Sequence, residues 1–243
     1  MNLSKNDYRK LYRIQDSFLK WFSGFNFPFY LTGGTALGRY YLQHRFSDDL
    51  DFFVNSDPRY PEYVAELKSN ISNSFNINIE EALFADDFTR IFIEKNGYRL
   101  KIEFVNYIEY NAGSPVSYSY GIIDTPQNIL ANKITAVVDR DEPKDIFDIV
   151  YLSLNYSFSW PDVFYHAKRK AVINEIDVEK RLISFPVEML EPVNWLKSPV
   201  EPILFQKQLE NVANDFFLGK KNSLGKNKTA IEDAKPLRNK KST

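Results

Sequence analysis

Cysteine is absent from the 243 residues, and histidine occurs only twice, as His44 and His166. A disulfide scaffold, a thiolate zinc centre and a cysteine nucleophile are therefore excluded, as is a three-histidine metal site. No apolar run reaches the length of about 18 residues that a transmembrane helix requires. The opening stretch MNLSKNDYRKLYR is polar and does not read as a secretory signal. The expectation is a soluble, cytoplasmic protein without a membrane partner. Its chemistry has to rest on carboxylates, hydroxyls, lysines, arginines and backbone amides.

Aromatic residues are abundant instead. With 20 Phe and 15 Tyr, the hydrophobic fraction is 44%, enough for a sizeable core and too much for global disorder. At about 150 residues per domain, the length suits one large domain or two small ones. Charge is nearly balanced, with 31 basic and 32 acidic residues, but unevenly placed. From Gly219 to Thr243, seven Lys and one Arg stand against Glu232 and Asp233, so this stretch is net basic and the remainder acidic. Poor in large apolar residues, residues 219–243 read as a flexible basic tail. They are either a solvated terminus or an arm for RNA or another partner.

No internal repeat is visible. Apolar spacing predicts a helix over 7–22, a strand at 29–31, a helix over 36–44, a strand over 49–54 and a helix over 61–74. Two alternating runs, 88–94 and 98–105, flank Asn96-Gly97, a strong hairpin signal. From Asp124 the character changes. Asp124-Thr125-Pro126 reads as a helix start, with helices over 128–138, 144–154, 160–170 and 201–217. The fold class is thus α+β. Residues 1–123 form a small mixed sheet flanked by helices, residues 124–218 a mostly helical half that completes the cleft, and residues 219–243 the tail.

Asp49-Leu50-Asp51-Phe52 is the most informative stretch. Residues two apart on a strand share a face, so both carboxylates point one way while Leu50 and Phe52 enter the core. Paired carboxylates repel unless a cation joins them, and hard oxygen donors favour Mg²⁺ or Mn²⁺. The plain alternative is a solvent-facing strand edge. Upstream, Gly33-Gly34-Thr35 lies between a strand and a helix. Small glycines and a helix N-terminus suit a phosphate, and Thr35 offers a hydroxyl. The thirteen residues Ala36 to Asp48 can return the chain to a neighbouring strand, so that both groups face one cleft. Glu103, on the alternating run Leu100–Phe104, is the expected third metal ligand or base. Its alternative is an ordinary salt bridge.

The stretch YLTGGTALGRYYLQHRFSDDLDFFV, with its glycine turn and Arg45-Phe46-Ser47-Asp48-Asp49-Leu50-Asp51-Phe52, resembles the AbiEii/AbiGii toxin family within the polymerase-β-like nucleotidyltransferases. ANKITAVVDRDEPKDIFDIVYL resembles the family's later motifs through Lys133 and Lys144-Asp145-Ile146-Phe147-Asp148. The resemblance implies a nucleotidyltransferase core and transfer of a nucleotide from an NTP with Mg²⁺ or Mn²⁺. It further implies a toxin of a toxin–antitoxin, abortive-infection or phage-defence system, with a cognate antitoxin and an RNA acceptor such as the tRNA end. On it, Asp49, Asp51 and Glu103 bind metal, while Gly33, Gly34, Thr35 and Lys133 bind the triphosphate. Asp145 orients Lys133 or touches nucleotide. Arg45, Ser47 and Asp148 lie at the nucleotide, Arg45 either on a phosphate or as a brace. Tyr118–Tyr120 is a weak candidate for stacking a base. Glu103 departs from the Asp of many members by one methylene. Two other readings stand beside this one. They are a non-catalytic nucleotide- or RNA-binding module of the same fold, and transfer to a protein or small-molecule acceptor.

Overall fold

The structure is a computed structural model that describes residues 3–191 and 193–237. Its first helix, α1 (Lys5–Phe22), starts at a capping box in which Ser4 and Asp7 satisfy each other's amides. One face of α1 buries Leu11, Ile14, Phe18, Leu19 and Phe22, the spacing the sequence predicts. The short strand β1 (Tyr30–Thr32) follows and runs directly into α2 (Gly33–Tyr40). Both glycines belong to this helix, which ends four residues earlier than expected. Its backbone leaves helical geometry at Tyr41, and Gln43 takes a left-handed φ of 54°.

β2 (Leu50–Asn55) alternates buried and half-buried positions, with Leu50, Phe52 and Val54 inward. After α3 (Tyr60–Ile71) and the two-residue β3 (Leu83–Phe84) come β4 (Phe88–Lys95) and β5 (Tyr98–Tyr107). Asn96 and Gly97 join these last two with φ of 54° and 77°. Two left-handed residues are what a tight hairpin of matching twist requires. A second hairpin, β6 (Val116–Tyr118) with β7 (Gly121–Ile123), was not anticipated from the sequence. The sheet order is β3-β4-β5-β2-β1-β7-β6, with β2–β5 and β1–β7 parallel and the other neighbours antiparallel.

The sheet's inner face packs an aromatic core. Phe52 lies 4.6 Å from Phe22 and 5.2 Å from Phe104, centroid to centroid. Much of the phenylalanine content is spent here. The helical half comprises α4 (Pro126–Asp139), α5 (Pro143–Asn155), α6 (Trp160–Lys168), α7 (Glu175–Ile183) and α8 (Pro202–Phe217). Thr125 caps α4 as the sequence suggests, accepting the Asn128 amide at 3.2 Å. α7 was missed by apolar spacing, because only Val178 and Leu182 are buried on it.

The tail expectation is corrected. Up to Leu237, the segment from Gly219 is laid against the body. Asn222 donates to the carbonyls of Ser153 (2.7 Å) and Tyr156 (2.8 Å), Ile231 is buried, and the Leu237 amide reaches Tyr40 O. Residues 238–243 lie outside the described residues. Lys220, Lys221, Lys226 and Lys228 stay exposed. No helix among the described residues is long and apolar enough to cross a membrane.

Candidate active site

The outer face of β2 and β5 carries the acids. Their parallel register sets Asp51 directly opposite Glu103, and Lys101, two residues before Glu103, reaches Asp49, the residue just before β2. β1 pairs Thr32 with Asp51 on the other side. A cleft of about 420 Å³ opens over this face, between Gly33, Gly34, Asp51 and Glu103 below and Asn132 and Lys133 of α4, with Arg140 just past its end, above. The expected meeting of glycine turn and acids therefore occurs.

The three carboxylates have different surroundings. Glu103 accepts from Arg90 Nε at 2.7 Å and lies 3.4 Å from Lys101 Nζ. Asp49 lies 3.0 Å from the same ammonium. Burial pushes Asp49 up from the ordinary carboxylate range, against the pull of Lys101. Asp51 has no hydrogen-bond or ion-pair partner among the described residues. Burial, reinforced by Asp49 and Glu103, pushes it up to about 7. A half-buried carboxylate between two others, all hard oxygen donors, fits a divalent cation by donor chemistry. As they stand, no three His, Asp or Glu side chains among the described residues are grouped closely enough to hold one. The ammonium of Lys101 lies between two of the three.

The glycines are dictated by what lies behind them. Gly33 has φ +68°, and a Cβ there would meet Asp51 Oδ2 at 2.7 Å. A Cβ on Gly34 would meet Arg45 Nη2 at 2.4 Å and Ser47 Oγ at 3.0 Å. Any side chain would close the cleft floor or break its support. Thr32, the residue before α2, donates its hydroxyl to Asp124 Oδ2 at 2.5 Å, so its side chain leaves the first-turn amides uncapped. Asp124 also accepts from Asn128 Nδ2 and the Thr125 amide. Its burial outweighs these bonds and pushes it up to about 6.

Behind the turn lies a buried charge frame. Asp148 receives Arg45 in bidentate fashion, Nε at 2.6 Å and Nη2 at 2.7 Å, together with His44 Nε2 at 2.7 Å. Lys133 Nζ is 2.6 Å from Asp145 and 2.8 Å from Asp148. Arg140 adds a second cation on Asp145, at 2.7 Å. Burial alone would raise both acids. Lys133 and Arg140 hold Asp145 below the ordinary range, and Arg45 and Lys133 hold Asp148 well below it. Lys133 keeps its proton despite burial because both carboxylates face it.

These placements revise several expectations. Gly33, Gly34, Asp51, Glu103 and Lys133 line the cleft. Thr35 does not offer a phosphate ligand. It is fully buried, and its hydroxyl donates to the Asp49 carbonyl, fixing the start of the acidic strand. Arg45, Ser47 and Asp148 are buried behind the glycine turn rather than in the cleft, and Arg45 is the brace of the two roles considered. Asp145 orients Lys133. His44 is buried and belongs to the same frame. Tyr118 packs its ring edge-on to Tyr40 at 5.0 Å, and Tyr118 and Tyr120 both lie half-buried against the core, away from the residues that line the cleft. Sequence reading missed Arg90, Lys101, Asp124 and Arg140. The alternation of 99, 101 and 103 was visible, but the partner strand that gives Lys101 its meaning was not.

The family model described as the nucleotidyl transferase AbiEii toxin, type IV toxin–antitoxin system, matches residues 18–222. No curated protein sequence matches the chain. Among solved structures, JHP933 from Helicobacter pylori is similar at TM-score 0.60 and 20% identity, over 89% of this chain and 94% of that one. MenT4, a nucleotidyltransferase toxin from Mycobacterium tuberculosis H37Rv, is similar at TM-score 0.58 and 16% identity, over 93% and 86%. At these identities the structural likeness speaks for the fold, and the family model speaks for the activity. By that match, over most of its length, the chain belongs to the AbiEii nucleotidyl transferase toxin family and is a nucleotidyltransferase.

Proposed function

We propose that the protein transfers a nucleotide from an NTP to the end of an RNA, tRNA being the foremost candidate, as the toxin of a toxin–antitoxin or phage-defence pair. The observation that carries the reading is the convergence of Gly33-Gly34, the Asp51–Glu103 pair and Lys133 on one cleft. MenT4, similar in fold, is named a nucleotidyltransferase toxin, which supports the toxin role. Four exposed lysines between Lys220 and Lys228 offer phosphate contacts and support an RNA acceptor.

In this reading the amides around Gly33 and Gly34, at the start of α2, receive the leaving phosphates, where the helix dipole favours negative charge. Lys133 adds a fixed positive charge on the opposite wall, held by Asp145 and Asp148 so that it needs no reorganisation as charge develops. Asp49 and Asp51, with Glu103, would hold Mg²⁺ or Mn²⁺. Such an ion would supply charge stabilisation and ease loss of the acceptor proton. The acceptor hydroxyl oxygen bonds to the α-phosphorus, the bond to the β-phosphate oxygen breaks, and pyrophosphate departs. Glu103 is the carboxylate assigned to help take up the hydroxyl proton.

The test is incubation of the protein with total RNA, Mg²⁺ and each α-labelled NTP, beside the Asp49→Ala/Asp51→Ala variant. Label is expected in a tRNA-sized band, falling by about 10²–10³-fold or more in the variant. Label on protein or a small molecule would replace the acceptor. NTP binding without any incorporation would favour the non-catalytic module.

A further inference from the structure

The acidic face already contains a cation, supplied by the chain itself. Lys101 projects from β5 two residues before Glu103, on the same face, and reaches Asp49, the residue just before β2. Its ammonium lies 3.0 Å from Asp49 Oδ2 and 3.4 Å from Glu103 Oε1. Arg90, from the neighbouring strand, holds Glu103 from the other side. Two of the three acids assigned above to the metal are thus engaged by lysine, while Asp51 between them has no partner among the described residues. Lys101 is partly exposed, with 31% of its side-chain surface accessible, so its flexible stem has room to swing away.

We propose that Lys101 is a resting counterion that competes with the divalent cation for Asp49 and Glu103. Bound metal and a lysine ammonium cannot share these carboxylates without strong like-charge repulsion across a few ångströms. Metal entry therefore requires Lys101 to leave. In the metal-free protein, Lys101 reduces the mutual repulsion of the acids and weakens the site for a cation. Arriving triphosphate provides an alternative anion for the displaced ammonium. Metal and NTP consequently load together more readily than metal alone, which limits occupation of the site when nucleotide is absent. The proposal rests on Asp49 and Asp51 being metal ligands.

The experiment measures Mn²⁺ binding without nucleotide, by the loss of the free-ion paramagnetic resonance signal. It compares wild type with Lys101→Met, which keeps the apolar stem, Lys101→Arg, which keeps the charge, and Asp51→Asn. Lys101→Met is expected to bind Mn²⁺ about tenfold tighter than wild type, since loss of one competing charge is worth about one decade or more. Lys101→Arg is expected to stay close to wild type, and Asp51→Asn to lose binding. Mn²⁺ should also raise the melting temperature of Lys101→Met more than that of wild type. Equal or weaker binding by Lys101→Met, with wild type still binding, would overturn the competition alone. Should Lys101→Met fail to fold, Lys101→Gln carries the same test without nucleotide: Mn²⁺ binding no tighter than that of wild type overturns the proposal. No specific Mn²⁺ binding to any of these proteins, with or without nucleotide, would overturn the metal reading of the acids as well.

Discussion

Asp51 shows how a residue proposed as a metal ligand can be costly to the fold. Its carboxyl is raised from an ordinary 3.8 to about 7 by burial and by its acidic neighbours. A group whose folded value lies above its unfolded one favours the fold while protonated. Metal-free stability should therefore fall as pH rises from about 4 to about 7, and level off above. Asp51→Asn removes that penalty. In chelator, the variant should melt above wild type at pH 8, by about 2–4 °C per kcal/mol relieved, with a smaller gap at pH 5. A gap independent of pH in thermal unfolding would contradict this account. Activity should be lost at both. The placement of Asp51 on the outer face of its strand was legible from the alternation with Leu50 and Phe52, because strand alternation is a local property. Lys101 and Arg90 were not, since an ion pair across strands depends on which strands pair and in what register.

Between elements, the support of the glycine turn is α5, reached through the Arg45–Asp148 pair. Gly34 has Arg45 at its back, Arg45 is fixed by two bonds to Asp148, and Asp148 also touches His44 and Lys133. Removing one partner strands buried charge. Asp148→Ala should cost about 3–5 kcal/mol of stability, while Arg45→Met combined with Asp148→Leu should recover part of that loss. Urea unfolding of the single and double variants measures the coupling, and strictly additive losses would rule out the pair as a unit. Most strands and helices were legible from period and caps. The exceptions have physical causes. α2 absorbs two glycines because its N-terminus must stay free of side chains, and α7 shows too few buried positions to carry a period. The β6–β7 hairpin consists of three-residue strands, with Tyr118 of β6 packed onto Tyr40 of α2.

For the molecule as a whole, composition misread the end of the chain. Lysine content argued for a solvated tail, yet a few residues decide the matter. Asn222 satisfies two carbonyls, and Ile231 inserts beside Ser157, whose carbonyl receives its amide at 3.0 Å. Ile231→Ala should lower unfolding free energy by about 2–5 kcal/mol in denaturant titration, as for a buried aliphatic residue. A loose tail would show no change.

The same long-range contacts determine when in synthesis this protein can first act. Arg45 and Asp148 are separated by 103 residues, and β2 must await β5 before Asp51 faces Glu103. A ribosome extends a chain at about 5–20 residues per second, so the glycine turn emerges several seconds before its brace. During that interval the nascent polypeptide carries the acids without the frame behind Gly34. A chain that stops before Asp148 therefore carries the glycine turn and the first acids without the frame behind Gly34.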